Sequence, residues 1–240
     1  MKNFKETSET NVSNGASQAR RIAWPIQSGW LQAKDLQQDQ SLVGRKSAVC
    51  KPVLRKLVVR KLLSPNFNPR AAATNIHLIV LHNISLPPAQ FGGGYIEQFF
   101  QNKLDHSVHP YFQTIEDLKV STHLLILRTG EIIQLVSFDD RAWHAGRSRY
   151  LGVPECNDYS IGIELEGTDD LPFTDAQYDA VIQAIFSIQQ AYPHTRQHIA
   201  GHSDIAPGRK TDPGEHLDWQ RIRQSLAKLH NATFINSNSF

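Results

Sequence analysis

Ile76-His77-Leu78-Ile79-Val80-Leu81, leading into His82-Asn83 and then Ile84-Ser85-Leu86-Pro87-Pro88, settles the fold class of this 240-residue chain. Five of the six opening residues are apolar and three are β-branched. A run this short and continuous leaves no face for water. It reads as a central strand buried on both sides, in a sheet covered by helices. The strand is expected to end on His82-Asn83, because the prolines beyond cannot donate to a ladder. His82 would then stand at a strand's end facing a loop, well placed to be a ligand.

Downstream the pattern alternates between strand and helix. Residues 120–128 and 131–136 are expected to pair around Thr129-Gly130, a hairpin signal. Ser160-Ile161-Gly162-Ile163-Glu164-Leu165-Glu166 reads as another strand. Its alternation puts Glu164 and Glu166 on one face, opposite Ile163 and Leu165. A short helix is predicted over 95–103, after Gly92-Gly93-Gly94. Thr174 and Gln177 match a capping box opening a long helix. Tyr178, Val181, Ile182, Ile185 and Phe186 give that helix an apolar stripe. A last helix carries Trp219, Ile222, Leu226 and Leu229 on one face. Together these elements predict an α/β domain around a mixed sheet, without internal repeats.

Between the last two helical patterns lies Gly201-His202-Ser203-Asp204-Ile205-Ala206-Pro207-Gly208-Arg209-Lys210-Thr211-Asp212-Pro213-Gly214. Its two Pro-Gly pairs are turn signals, so most of it is expected to be loop. It is dense in ionisable groups and nearly devoid of apolar ones, as functional loops often are. A catalytic zinc takes three N, O or S ligands and keeps one position open. His82, His202 and Asp212 would supply two imidazoles and a carboxylate. Glu164 is a candidate for the base that takes a proton from water, although strand carboxylates usually face solvent. Lys210 could set a cation where an oxyanion develops. A lone histidine is more often structural or solvated, so spacing alone gives only a candidate zinc hydrolase.

The ends of the chain differ in charge. Residues 1–65 hold twelve Lys/Arg against four Asp/Glu, whereas the rest holds thirteen against nineteen. This suggests a basic N-terminal extension on a mildly acidic domain. Residues 1–25 are polar and read as a disordered tail, with no apolar signal segment. The stretch 53–63 mixes apolar and basic residues loosely enough for a strand, a basic amphipathic helix or an arm. Nucleic-acid or anionic-surface binding by residues 26–70 is a competing reading, but a solvated basic face is favoured because no aromatic interleaving accompanies the charges. No window approaches the roughly 18 apolar residues of a membrane span. Cys50 and Cys156 give no disulfide framework and are expected to be reduced thiols in a cytoplasmic protein.

Five segments occur together and in order: residues 81–88, Arg141-Ala142-Trp143-His144-Ala145-Gly146, Cys156-Asn157-Asp158, residues 161–169 and the 201–214 loop. The set closely resembles the AmpD-type 1,6-anhydro-N-acetylmuramyl-L-alanine amidases, within the wider zinc amidase group of phage amidases and peptidoglycan-recognition proteins. The resemblance starts near Gly29, is interrupted, and continues from about Leu78 to Leu229. It implies a central mixed β-sheet flanked by helices, with a zinc groove. It assigns one zinc to His82, His202 and Asp212, the base to Glu164 and transition-state stabilisation to Lys210. Asn83, Trp143, His144 and Arg209 are expected to bind substrate, and His123 to support the ligands. The wider group commonly has an aromatic hydroxyl before the residue matched by His123. Here Thr122 occupies that place, shifting weight to Glu164.

The implied reaction is hydrolysis of the amide between the lactyl group of anhydro-muramic acid and L-alanine of the stem peptide, in cytoplasmic peptidoglycan recycling. The partner is the anhydro-muropeptide, with no nucleic acid, membrane or obligate protein partner expected. The alternatives are an exported cell-wall lytic amidase and a non-catalytic peptidoglycan-binding module. Three departures stand out: residues 1–28 are extra, roughly 35–60 are inserted, and Glu155 replaces an expected basic residue. Glu155 beside a groove for a carboxylate-bearing peptide would weaken charge complementarity. The expected divisions are a 1–28 tail, a 29–75 basic extension, a 76–230 catalytic domain and a 231–240 tail.

Overall fold

The structure, a computed structural model, describes residues 24–32, 59–72 and 74–237. In chain order its elements are β1 (Ile26–Gln27), β2 (Trp30–Leu31), β3 (Val59–Lys61), β4 (Phe67–Pro69), β5 (Leu78–Ile84), α1 (Tyr95–Phe100) and α2 (Pro110–Gln113). Next come β6 (Leu124–Ile126), β7 (Ile132–Gln134), β8 (Asp140–Ala142), β9 (Arg149–Tyr150), β10 (Val153–Pro154) and β11 (Ser160–Glu166). The chain closes with α3 (Asp175–Ala191), β12 (Ile199–Gly201), α4 (His202–Ile205) and α5 (Trp219–Ser237).

Six strands form one sheet in the order β12-β5-β11-β6-β7-β3. The first four are parallel, β7 runs antiparallel to β6, and β3 joins β7 in parallel. This is the mixed α/β sheet that the sequence predicts. β5 and β11 lie side by side at its centre, with Leu81 opposite Ile163 and His82 opposite Glu164.

Period-two alternation divides the two faces. Ile79, Leu81, Ile161, Ile163, Leu165, Leu124 and Ile126 point into a core shared with Val181, Ile185 and Phe186 of α3 and Ile222 and Leu226 of α5. Each such side chain, fully buried, contributes roughly 1.5–3 kcal/mol. The Thr174–Gln177 capping box is present, and Gln177 Nε2 also donates to Glu166 O at 2.8 Å, tying the start of α3 to the end of β11. On the opposite face two smaller apolar clusters stand apart. One joins Leu78 and Val80 to Cys156, Tyr159 and Ile205. The other joins Leu125 and Ile133 to Phe99, Phe100 and Phe112. His82, Gly162 and Glu164 occupy the polar strip between them.

Several boundaries differ from expectation. β5 continues to Ile84, which pairs with Glu166 and accepts from Gly167 N at 2.9 Å. His82 therefore lies inside the strand: the prolines at 87 and 88 sit too far along to end it earlier. Residues 120–123 are not strand, because Ser121 N turns to Trp143 O at 3.1 Å. α1 stops at Phe100, where Asn102 adopts φ 57° and Lys103 N reaches back to Gln98 O at 2.8 Å. α5 runs through residues 231–237, expected to be tail.

The N-terminal boundary also moves. Trp24 is buried and its backbone N donates to Ser187 Oγ at 2.7 Å. β1 and β2 form a hairpin whose turn residues, Ser28 and Gly29, both have positive φ. A side chain at Gly29 would meet Ser137 Oγ at 2.1 Å. Gln134 clasps this hairpin, accepting from Leu31 N at 2.8 Å and donating to Gly29 O at 2.8 Å. Residues 24–28 thus belong to the folded body, not to a tail, and Val59–Lys61 is an edge strand of the main sheet. The expected tail over 1–23, the insertion over 35–58 and Cys50 lie outside the described residues. Cys156 is a buried free thiol.

Candidate metal centre and groove

Three elements bring the predicted ligands together. β5 carries His82, and β12 lies next to it with Gly201 opposite Leu81, so His202 emerges beside His82. The turn that follows folds back, with Ser203 N donating to Asp212 O at 2.9 Å. Asp204 accepts from Gly201 N at 2.7 Å, an internal clamp on the loop. Gly214, at φ +81°, lets the returning chain pass over Asp169, where a Cβ would lie 2.3 Å from the Asp169 Cα. The expected loop therefore begins with a strand end and a helical turn.

His82 Nδ1 lies 3.0 Å from His202 Nδ1 and 3.1 Å from Asp212 Oδ2, and His202 Nδ1 is also 3.1 Å from that oxygen. Among the described residues this is a His/His/Asp group whose donor atoms could hold one metal ion. The donor set fits zinc, for which two imidazole nitrogens and a carboxylate form a common catalytic triad of ligands. His202 donates from Nε2 to Ala145 O at 3.1 Å, leaving Nδ1 as a lone pair aimed at the cluster. Burial pushes His82 down to about 4, so its ring is neutral at physiological pH, the ligating form.

Glu164 stands on β11 directly beside His82. It is buried, and its Oε2 has no hydrogen-bond partner. Burial, together with the charge of Asp212, pushes its carboxyl well above the usual range, with Lys210 opposing. A carboxyl group tuned upward and left without fixed donors suits proton transfer near neutrality. Lys210 is exposed on the loop, close enough for its charge to be felt by both Glu164 and His82.

A groove of about 350 Å³ opens over this corner, lined by His144, Glu164, His202, Lys210, Asp212 and Asn83 at one end. Leu86, Phe99, Phe100, Ile115 and Leu118 form its apolar wall. Asn83 donates to Asp169 Oδ1 at 2.6 Å, bracing β5 against the turn that follows β11. Trp143 and Arg209 are not among the lining residues. The Trp143 indole donates to Asn68 Oδ1 at 2.7 Å, and Arg209 donates to Ala145 O and Arg147 O at 2.8 and 2.7 Å. Glu155 lies with Arg209 on a separate depression, 3.8 Å from Arg141, away from the groove lining.

His144 does more than line the groove: its Nδ1 is 2.9 Å from His82 Nε2. His123 is one ring further from the ligands, packed 5.7 Å from His144 centroid to centroid. It accepts from Gly162 N at 2.9 Å and donates to Asp140 O at 3.1 Å. Four residues near the site escape sequence reasoning. Ser160 and Gly162 sit under His144, and Asn157 Oδ1 accepts from both His144 N and Ala145 N, at 3.0 and 2.8 Å. Arg70 donates to four carbonyls, those of Phe138, Asn157, Asp158 and Ser160. Gly162 alone left a signal, as a glycine inside a strand that marks close approach.

The profile of the N-acetylmuramoyl-L-alanine amidase family matches residues 72–215. A Haemophilus influenzae protein named 1,6-anhydro-N-acetylmuramyl-L-alanine amidase AmpD is 52% identical over 168 residues, 70% of this chain and 91% of its own. The Escherichia coli protein of the same name is 50% identical over 169 residues, 70% and 92% of the two chains. A crystal structure of a selenomethionine AmpD derivative superposes with a TM-score of 0.72 at 43% identity. It covers 84% of this chain and 98% of its own.

Proposed function

The chain belongs to the N-acetylmuramoyl-L-alanine amidase family, and on that premise we propose that it hydrolyses the amide joining the lactyl group of 1,6-anhydro-N-acetylmuramic acid to L-alanine of a stem peptide, with one zinc held by His82, His202 and Asp212. The observation that carries this reading is the convergence of those three donor atoms, within 3.1 Å of one another, beside an unpartnered buried Glu164. A zinc ion there would polarise the scissile carbonyl and make hydroxide accessible near neutral pH.

The side chains supply the rest. Glu164 takes the proton from the attacking water and returns it to the leaving nitrogen, so one group serves as base and then acid. Its burial makes both transfers feasible, because the carboxyl is not held ionised by fixed donors. Lys210 sets a positive charge toward the oxygen that becomes negative. Asn83 and the apolar wall orient the muropeptide, and Trp143 and Arg209 hold the groove's framework from behind. The 1,6-anhydro name of the relatives supports an anhydro-muropeptide substrate, and the reading places its hydrolysis in cytoplasmic peptidoglycan recycling. No helix among the described residues is long and apolar enough to cross a membrane.

Mass spectrometry of the products from purified anhydro-muropeptide, with and without a chelator, tests the reading. Release of an intact peptide beginning with alanine, abolished by the chelator, is the expected result. Cleavage that ignores the chelator, or leaves sugar on the peptide, would overturn it. Intact sacculi run in parallel separate recycling from wall lysis.

A further inference from the structure

We infer that Ser160 and His144 are positioning residues: a hydrogen-bond relay from the Cys156 carbonyl, through the Ser160 hydroxyl and the His144 imidazole, fixes which nitrogen of His82 carries its proton. The inference rests on the metal reading above.

Proton counting assigns every step. The Cys156 carbonyl can only accept, and Ser160 Oγ lies 2.5 Å from it. The hydroxyl proton must point there, since otherwise two oxygens would face each other bare at that distance. With its single proton so placed, Ser160 Oγ can only accept from His144 Nε2, 3.1 Å away. His144 therefore carries its proton on Nε2 and is bare at Nδ1. A second proton would charge a buried ring that has no carboxylate against it. His144 Nδ1 then accepts from His82 Nε2 at 2.9 Å. That leaves His82 Nδ1 unprotonated, facing His202 Nδ1 and Asp212 Oδ2.

The relay has a built seat. A Cβ on Gly162 would lie 2.4 Å from His144 Cγ, so only glycine lets the ring rest on β11. Ser160 is fully buried two residues earlier on the same strand. Asn157 holds the backbone N of both His144 and Ala145. Without the relay, His82 is free to place its proton on Nδ1, where it competes with metal for the lone pair.

The test uses the full chain and the variants Ser160→Ala, His144→Ala and His144→Gln. Zinc dissociation constants come from chelator competition, and the state of the His82 Nε2–H from ring ¹⁵N and proton shifts of the zinc-loaded protein. Ser160→Ala and His144→Ala should weaken zinc by roughly 10–100-fold. His144→Gln should recover part of that loss, because its amide oxygen can accept from His82 Nε2–H. The zinc-loaded parent should show a hydrogen-bonded Nε2–H on His82, slow to exchange with solvent, and Ser160→Ala a faster-exchanging one. Unchanged zinc affinity in both truncations, or a zinc-loaded parent whose His82 Nε2–H is not hydrogen-bonded, would overturn the relay. Should His144→Ala not fold, Ser160→Ala, which removes one oxygen, carries the same test. A parent that takes up no zinc would instead defeat the metal reading itself, whereas zinc uptake with unchanged affinity in the truncations defeats the relay alone.

Discussion

Glu164 and Glu166 stand two residues apart on one face of β11, both buried, yet their surroundings are opposite. Glu166 closes on backbone: Gly92 N donates to one oxygen at 2.6 Å and Arg128 N to the other at 2.9 Å. It fastens the glycine-rich loop before α1 and the turn after β6 to the end of the central strand. Glu164 receives no such donor at Oε2 and faces the metal corner. The residue type, the strand and the burial are shared. What separates structure from chemistry is whether the fold satisfies the carboxylate or leaves it wanting a proton.

Substitutions can break that contrast. Losing a ligand should have the largest effect: His82→Ala is expected to drop zinc from one per chain to near zero by elemental analysis, with activity gone. Glu164→Gln should keep its zinc and lose roughly 10²–10⁴-fold in turnover. Its metal-free form should melt at or above the parent's temperature, because an unpartnered buried carboxylate has been replaced by a neutral amide; a clear fall in melting temperature would place Glu164 among the structural carboxylates. Glu166→Gln should do the reverse. It weakens two charge-assisted bonds, costing about 1–3 kcal/mol in denaturant unfolding, while kcat stays near the parent's. Equal losses of turnover from the two glutamates would erase the distinction. The smallest effect belongs to Gly92→Ala, where a Cβ meets nothing within 4 Å but φ is +80°. Calorimetry should report a cost of about 1–2 kcal/mol, from backbone strain alone.

Legibility followed the reach of each interaction. Ser160–Glu166 was readable to the residue because its alternation is local. So was the capping box at Thr174, which acts over one turn. Val59–Lys61 was ambiguous because nothing in its composition demands a strand; pairing with β7 makes it one. Trp24 and the hairpin after it depend on Ser187 and Gln134, 163 and 103 residues away, beyond any local signal. In the site, the ligand types were visible, but their meeting required β12 to lie beside β5. The placement of His144 on His82 hinges on Gly162 of β11, against which its ring rests.

Lys61 Nζ sits 3.6 Å from the centre of the Trp30 ring. The β1–β2 hairpin and the edge strand β3 therefore meet side by side, both anchored on Gln134 and its strand. The hairpin and the edge strand thus share one keystone, the Gln134 side chain and backbone between them, so each holds the other in place at the sheet edge.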